Sequence, residues 1–169
     1  MSEQEKSLYM TVLMTPDMAN FAGNVHGGSV LKLLDQVAYA CAARYCGNYV
    51  VTLSLDQVTF KEPIRVGELV SFRANVNYVG RSSMEIGVKV IAEDLHRKSR
   101  RHTNSCYFTM VAVDEDGKPI PAPPLEIKTD FERKLFEAAR MRKQMREEVA
   151  RRNQELTSGI PDYNLDVRR

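Results

Sequence analysis

One helical pattern constrains the fold of this chain more than any other feature. From residue 28 to residue 46, apolar residues recur so densely that they run nearly all round the helix. A helix without a broad polar face is expected at the centre of a domain, because most of its sides must be covered. Lys32, Asp35 and Arg44 interrupt the apolar run too often for a membrane span.

Strand patterns lie on both sides of this helix. Residues 8–14 alternate before it, and residues 49–60, 68–79, 82–92 and 103–113 follow it as four further strands. Strands that succeed one another through short connections predict an antiparallel sheet, here a meander of four. We therefore predict the α+β class, with a sheet that curls around the helix.

The remainder of the chain predicts a strap and a second helix. Residues 119–124 are rich in proline and predict an extended strap, and residues 130–157 carry a thin apolar stripe among many charges. We divide the chain into a domain at 1–128, an amphipathic helix at 129–157 and an extended or disordered tail at 158–169. The stripe is too thin for an independent domain, but it suits docking on a neighbouring subunit.

Composition excludes several classes of protein. The formal net charge is only +2, which gives no reason to expect nucleic acid as a partner. Residues 2–7 are polar and contain no signal-peptide core. The cysteines, Cys41, Cys46 and Cys106, lack the spacing of a disulfide framework or a zinc site. Cys41 and Cys46, in the apolar helix, are better explained as small core residues than as nucleophiles. We expect a cytoplasmic protein with no metal and no membrane attachment.

The candidate chemistry lies where the central helix begins. Gly27 and Gly28 let a ligand approach the backbone, and the first N–H groups of a helix have no helical acceptor. Such an end stabilises negative charge that develops on a substrate oxygen. Asn24 could orient a water or a carbonyl there. Taken alone, these residues also fit an ordinary turn with an asparagine cap.

Asp35 is the second candidate, because a carboxylate within an apolar helix must be paired or hydrogen-bonded. Such a carboxylate could do acid–base or nucleophilic work, or simply cap a neighbouring loop. It lies seven residues beyond Gly28, which is roughly 10 Å along the helix axis. One chain is therefore not expected to bring both groups to one reaction. Two subunits with antiparallel helices would do so, and the catalytic hypothesis demands a dimer.

Three segments in order resemble one family. Residues 24–35 (NVHGGSVLKLLD) resemble a signature of the hotdog-fold acyl-CoA thioesterases of the acyl-CoA hydrolase type, and residues 60–68 (FKEPIRVGE) and 79–84 (VGRSSM) resemble its next two signatures. Residues 108–114 resemble its last strand, so the match covers most of residues 7–125. The resemblance implies a hotdog fold, a curved antiparallel sheet wrapped around a long central helix. It also implies a homo-oligomer of double-hotdog dimers, three of which commonly form a hexamer.

The resemblance implies catalytic roles as well. Asp35 corresponds to the family's helix carboxylate, a general base for water or a nucleophile, and Asn24 to the asparagine that holds water or substrate. The oxyanion-binding amide falls on Gly27 or Gly28. The reaction implied is hydrolysis of acyl-CoA to a fatty acid and coenzyme A, with no cofactor because coenzyme A belongs to substrate and product.

Substrate binding is expected at the turn formed by Arg81, Ser82 and Ser83, where arginine suits a phosphate and exposed N–H groups add donors. A plain hairpin turn is the alternative. We expect His26 to be structural or adjacent to the substrate. Hotdog dehydratases use a histidine just before the central helix, so a hydratase or dehydratase is an alternative function. The Gly27 that follows His26 here is typical of the thioesterases.

Three further questions stay open in the sequence. The basic run at 96–102 is predicted between two strands, either contacting an anionic nucleotide or forming a solvated connection. A non-catalytic acyl-CoA sensor is the rival class, but residues 1–20 and 129–157 are too small for an output module such as a helix-turn-helix. Acyl-chain preference depends on how Tyr39, Phe60 and Met84 close a tunnel.

Overall fold

The computed structural model describes residues 5–160, which divide into two compact units between Lys128 and Thr129. The first unit contains a short 3-10 helix at Pro16–Met18. Its strands and long helix are β1 (Ser7–Leu13), α1 (Gly27–Cys46), β2 (Val50–Leu55), β3 (Leu69–Val79), β4 (Ser83–Asp94) and β5 (Ser99–Ala112). The second unit contains α2 (Asp130–Thr157).

The five strands form one antiparallel sheet in the order β1-β3-β4-β5-β2. The predicted antiparallel sheet is confirmed, but the meander of four is wrong. Strands β3, β4 and β5 do follow one another as neighbours, whereas β2 pairs with β5 at the opposite edge from β1. The reason is the long segment 56–68 after β2, which allows the chain to cross to another edge of the sheet.

The strand ends also differ from the predicted ones at two places. Strand β2 ends at Leu55, so residues 56–60 belong to the following loop. Strand β5 begins at Ser99, inside the basic run that was predicted as a connection. A bulge at Thr103 shifts the register there, which hides the alternating pattern of its first residues.

Helix α1 packs on all five strands. Alternate residues of β3 and β4 point towards it and form the core, among them Phe72, Met84 and Ile86, which have almost no exposed surface. Burial is one-sided, however, because Lys32, Asp35 and further residues on one face of α1 are exposed. The prediction of a helix covered nearly all round, with Asp35 buried, is therefore wrong for the isolated subunit.

The β2 edge of the sheet is unusually apolar for a surface. Tyr49, Val51, Leu53 and Leu55 are all exposed, with Leu53 retaining 68% of its surface. An edge strand also carries backbone N–H and C=O groups without a neighbouring strand. The exposed face of α1 and this edge together leave one side of the domain uncovered within a single subunit.

The strap and α2 follow the sequence expectation closely. The strap crosses the first unit in extended form and is held by two hydrogen bonds. The Ala122 amide donates to the Arg81 carbonyl at 2.9 Å, and the Tyr45 hydroxyl donates to the Pro123 carbonyl at 3.0 Å. Thr129 and Glu132 cap α2 reciprocally, which explains its sharp beginning. Residues 161–169 of the predicted tail lie outside the described residues. No helix within residues 5–160 is long and apolar enough to cross a bilayer.

Candidate active site

A tight loop precedes α1 and is organised by Asn20. The Asn20 side-chain oxygen accepts hydrogen bonds from the amides of Ala22 at 2.9 Å and Asn24 at 3.1 Å. The backbone amide of Asn20 donates to the Asn24 carbonyl at 2.6 Å, and Gly23 supplies the positive φ of 82° that closes the turn. Because Oδ1 is occupied, the Asn20 amide group presents Nδ2 as a donor, and no residue within 5–160 accepts from it.

Asn20 was not predicted from the sequence, which singled out Asn24 in the same loop. The signal that identifies Asn20 is local, since an asparagine commonly accepts from backbone amides two or more residues ahead in a turn. Asn24 contributes its backbone to this loop and forms an isolated bridge with Arg65. Its side chain is half-buried.

The first turn of α1 distinguishes the two predicted glycine amides. His26 is the N-cap, and its Nδ1 accepts a hydrogen bond from the Gly28 amide at 2.9 Å. The Gly27 amide, in contrast, has no acceptor within the described part of the chain. A Cβ atom at Gly28 would lie 3.1 Å from Nδ1 of His26, so the cap itself favours glycine there. Of the two amides, Gly27 is the one open to a ligand.

An aromatic ring packs against the residue that carries this open amide. A Cβ atom at Gly27 would lie 3.6 Å from Cε2 of Phe60, so the ring packs directly against the start of α1. Phe60 and Tyr39, two of the residues predicted to close an acyl tunnel, are partly exposed. Met84, the third, lies wholly within the core between the sheet and α1.

Asp35 is paired with a residue that sequence reasoning missed. The Thr52 hydroxyl donates a hydrogen bond to Oδ1 of Asp35 at 2.7 Å, joining α1 to the edge strand β2. One turn further along, the Tyr39 ring meets the Tyr49 ring edge-on, with centroids 6.0 Å apart. The carboxylate is thus oriented by a neutral donor and stays accessible from the uncovered face. No sequence signal identifies Thr52, because its role depends on the order of the strands.

The predicted site residues therefore fall into two groups within one chain. Asn24, His26, Gly27 and Gly28 lie together at the start of α1. Asp35 lies further along the same helix, beside Thr52. An α-helix is rigid over this length, so the two groups are held apart.

The predicted turn lies between β3 and β4 and is closed by backbone hydrogen bonds. The Gly80 amide donates to the Ser83 carbonyl at 2.8 Å, and the Ser82 carbonyl accepts from the Ala112 amide at 2.9 Å. Arg81 is exposed, and among residues 5–160 no carboxylate pairs with its guanidinium. It is a free cation at a fixed point of the backbone.

The basic run forms a hairpin turn whose arginines meet carboxylates. Asp94 accepts from the amides of His96 and Arg97 at 3.0 Å each, and these bonds are the main reason that the pKa of its exposed carboxyl is lowered. Arg100 pairs with Glu93 at 3.0 Å, and Arg101 pairs with Glu62 and Glu68. These pairings favour a structural connection over a nucleotide contact.

Cys41 and Cys46 are core residues, as expected, and Cys106 is a third. All three are buried, and burial raises the pKa of the Cys41 and Cys106 thiols to about 12. Thiols with such pKa values are scarcely ionised at neutral pH and make poor nucleophiles.

Comparison with known proteins identifies the family. The thioesterase superfamily matches residues 22–98. Protein VdlD of Helicobacter pylori is 55% identical over 139 residues, which is 82% of this chain and 79% of that protein. The uncharacterized acyl-CoA thioester hydrolase YkhA of Bacillus subtilis is 34% identical over 157 residues, which is 93% of this chain and 91% of the relative.

Solved structures agree. An apo-hexameric acyl-CoA thioesterase superposes with a TM-score of 0.82 at 38% identity, covering 86% of this chain and 94% of the other. The acyl-CoA hydrolase of Staphylococcus aureus, solved with butyryl coenzyme A and coenzyme A, superposes with a TM-score of 0.80 at 30% identity, covering 91% and 93%. The architecture is thus the hotdog fold of the thioesterases. The chain belongs to the acyl-CoA thioester hydrolases of the thioesterase superfamily.

Proposed function

We propose that this enzyme hydrolyses acyl-CoA thioesters to a fatty acid and coenzyme A at sites that two subunits build together. The observation that carries the proposal is the 2.7 Å hydrogen bond from Thr52 to Asp35 on the uncovered side of the domain. A carboxylate that is held by one oxygen keeps the other free to take a proton from water or to attack a carbonyl. As a base, Asp35 receives the water proton while the hydroxide adds to the thioester carbon.

Negative charge then develops on the thioester oxygen, and the Gly27 amide is the donor suited to receive it. Gly28 is occupied by the His26 cap, whereas Gly27 is open and lies at the positive end of α1. When the carbon–sulfur bond breaks, the coenzyme A thiolate leaves and the acid product keeps the oxygen from water. The use of Nδ1 of His26 in capping favours this reaction over a dehydratase mechanism, in which that imidazole would serve as a base.

An asparagine beside the Gly27 amide would hold the water or the substrate carbonyl. Asn24 is the residue predicted from the sequence, and Asn20 is the one whose side chain the loop orients. Alanine variants of an asparagine, an aspartate and a threonine of the S. aureus hydrolase have been solved, and these positions are 15 and 17 residues apart in order. Asn20, Asp35 and Thr52 have the same two spacings, which favours Asn20 over Asn24 for this role.

The partner subunit in this proposal covers the exposed face of α1 and the apolar β2 edge. Antiparallel pairing of two α1 helices brings the Gly27 amide of one chain towards the Asp35 of the other. The minimum assembly is a homodimer, and a similar thioesterase is hexameric, which supports a trimer of dimers here. Arg81, with Ser82 and Ser83, supplies the unpaired cation and turn amides that suit the phosphates of coenzyme A.

The test is thiol release from a panel of acyl-CoA substrates of graded chain length. Asp35→Asn should reduce turnover by on the order of 10² or more, because it removes the proton acceptor without changing the shape of the side chain. Thr52→Val should reduce turnover less, and Thr52→Ser should restore it. Lys89→Ala, at an exposed position of β4 away from α1, is the control. Near-normal turnover by Asp35→Asn would reject Asp35 as the reacting carboxylate.

A further inference from the structure

We propose that Arg101 is a positioning residue for the hydrolysis: it fixes the loop at 61–67 and, through it, the segment that carries the Gly27 amide. The inference rests on the proposed function insofar as Gly27 is the oxyanion donor. Arg101 lies on β5, and the contacts described below connect it to the start of α1 in two steps.

The first step is the set of acceptors around the guanidinium. Its Nη2 donates to the Pro63 carbonyl at 2.7 Å and to Oε2 of Glu68 at 2.8 Å. Its Nε pairs with Glu62 at 2.9 Å, and its Nη1 reaches the other oxygen of Glu68. Since these acceptors come from both ends of the loop, one planar group holds the whole loop against β5.

Glu68 strengthens this arrangement from the loop side. It retains only 4% of its surface, and its Oε2 also accepts from the Arg65 amide at 2.8 Å. Burial would raise the pKa of Glu68, but the hydrogen bonds from Arg101 and from the Arg65 amide outweigh it and hold that pKa below its usual value. The pair consequently remains charged through the neutral range.

The second step runs from the loop to the catalytic segment. The Ile64 carbonyl accepts from the Val25 amide at 2.8 Å, and Arg65 bridges to Asn24 as a short antiparallel pair. Phe60, the residue directly before this loop, packs its ring against Gly27. The loop and Phe60 together contact the residues on both sides of His26, and their position sets where the first amide of α1 points.

Positioning of this kind affects chemistry more than binding. An oxyanion donor stabilises the transition state only where its N–H lies on the developing charge, and a displacement of about 1 Å can cost on the order of 10²-fold in rate. Lysine has the charge of arginine but only a single point of attachment, so it cannot hold Glu62, Pro63 and Glu68 together.

The experiment compares Arg101→Gln and Arg101→Lys with Arg100→Gln. Arg100 is the matched control because it lies next in the same strand, and its pairing with Glu93 lies away from the loop. Turnover, KM and thermal unfolding are measured for each variant, and hydrogen exchange is followed at the hydrogen-bonded Val25 and Gly28 amides. We expect Arg101→Gln to lower kcat by about 10- to 100-fold with a much smaller change in KM. Arg101→Lys should lie in between, and Arg100→Gln should match the wild type.

Exchange at these two amides should accelerate in Arg101→Gln and not in Arg100→Gln. Glu62→Gln, which removes only the more exposed contact, provides a milder variant if Arg101→Gln fails to fold, and should lower kcat in the same direction. Folded Arg101 and Glu62 variants with unchanged kcat and unchanged exchange would overturn the inference. Because exchange needs no turnover, loss of the Arg101 effect can be told apart from failure of Asp35 as the reacting group.

Discussion

Nδ1 of His26 lies 2.9 Å from the Gly28 amide nitrogen and accepts its hydrogen. This single bond assigns the second N–H of α1 to the cap and leaves the first N–H, that of Gly27, facing outward. It also gives the His26 imidazole, which lies next to the candidate oxyanion site, a structural role. An N-cap stabilises a helix because it accepts a hydrogen bond from one of the unpaired N–H groups.

The first prediction concerns His26. His26→Asn should keep the cap, because asparagine is among the best N-cap residues, and should retain most of the hydrolytic rate. His26→Ala should lower the free energy of unfolding by about 1 kcal/mol. Chemical denaturation and thiol release measure the two effects separately. If His26→Asn were fully folded but inactive, the imidazole would have a chemical role, and the dehydratase alternative would regain support.

The second prediction concerns subunit complementation. Asn20→Ala and Asp35→Asn should each be nearly inactive, yet a mixed dimer carries both lesions in one site and neither in the other. Equal random mixing makes about half of the dimers mixed, so roughly a quarter of wild-type activity should return. The subunits are exchanged by co-expression or mild denaturation, and Asn24→Ala is tested in parallel. If verified mixed dimers had no activity, Asn20 and Asp35 of the same chain would belong to one site, and the shared site would be rejected.

The third prediction concerns acid stability. The folded pKa of Glu68 is lowered, so its contribution to stability is present above the unfolded pKa and is lost as the pH falls through the folded value. Glu68→Gln should therefore lower the free energy of unfolding by about 2 kcal/mol at neutral pH. The difference from wild type should shrink below about pH 4. Urea unfolding at a series of pH values measures it, and a pH-independent difference would contradict the assignment.

The fourth prediction concerns α2. Phe131, Met141, Met145 and Val149 form a stripe that is exposed on this helix. A chain that ends at Lys128 should remain folded and dimeric but should assemble less completely. Light scattering gives the oligomer mass, and thiol release gives the activity of the remaining dimers. An unchanged number of subunits per particle, together with abolished turnover, would show that α2 serves chemistry instead.

The sequence predicted some elements closely because their signals are local. Thr129 and Glu132 form a capping box, which is a local feature that marks the start of α2 in the structure. Alternation fixed the interior of β3 and β4, where each second residue faces the core. These features depend only on neighbours along the chain.

The remaining features depend on contacts distant in sequence. Neither the position of β2 at the far edge nor the Thr52 partner of Asp35 could be predicted, because a chain crossing and a bond between α1 and β2 determine them. The exposure of Asp35 was missed for a related reason. An apolar helix pattern does not distinguish burial by the chain's own sheet from burial by another copy.

The exposed β2 edge has a consequence for how this protein folds and assembles. In a newly synthesised chain, Val51, Leu53 and Leu55 are exposed beside backbone groups that have no hydrogen-bond partner. Such an edge can pair with a strand of another protein chain and so promote aggregation. In the proposed dimer the partner subunit covers this edge, so folding and assembly would be one concentration-dependent event. Dilution should then lower the melting temperature. A low concentration of partner subunits, more than a defect in the core, would favour aggregation of newly synthesised chains.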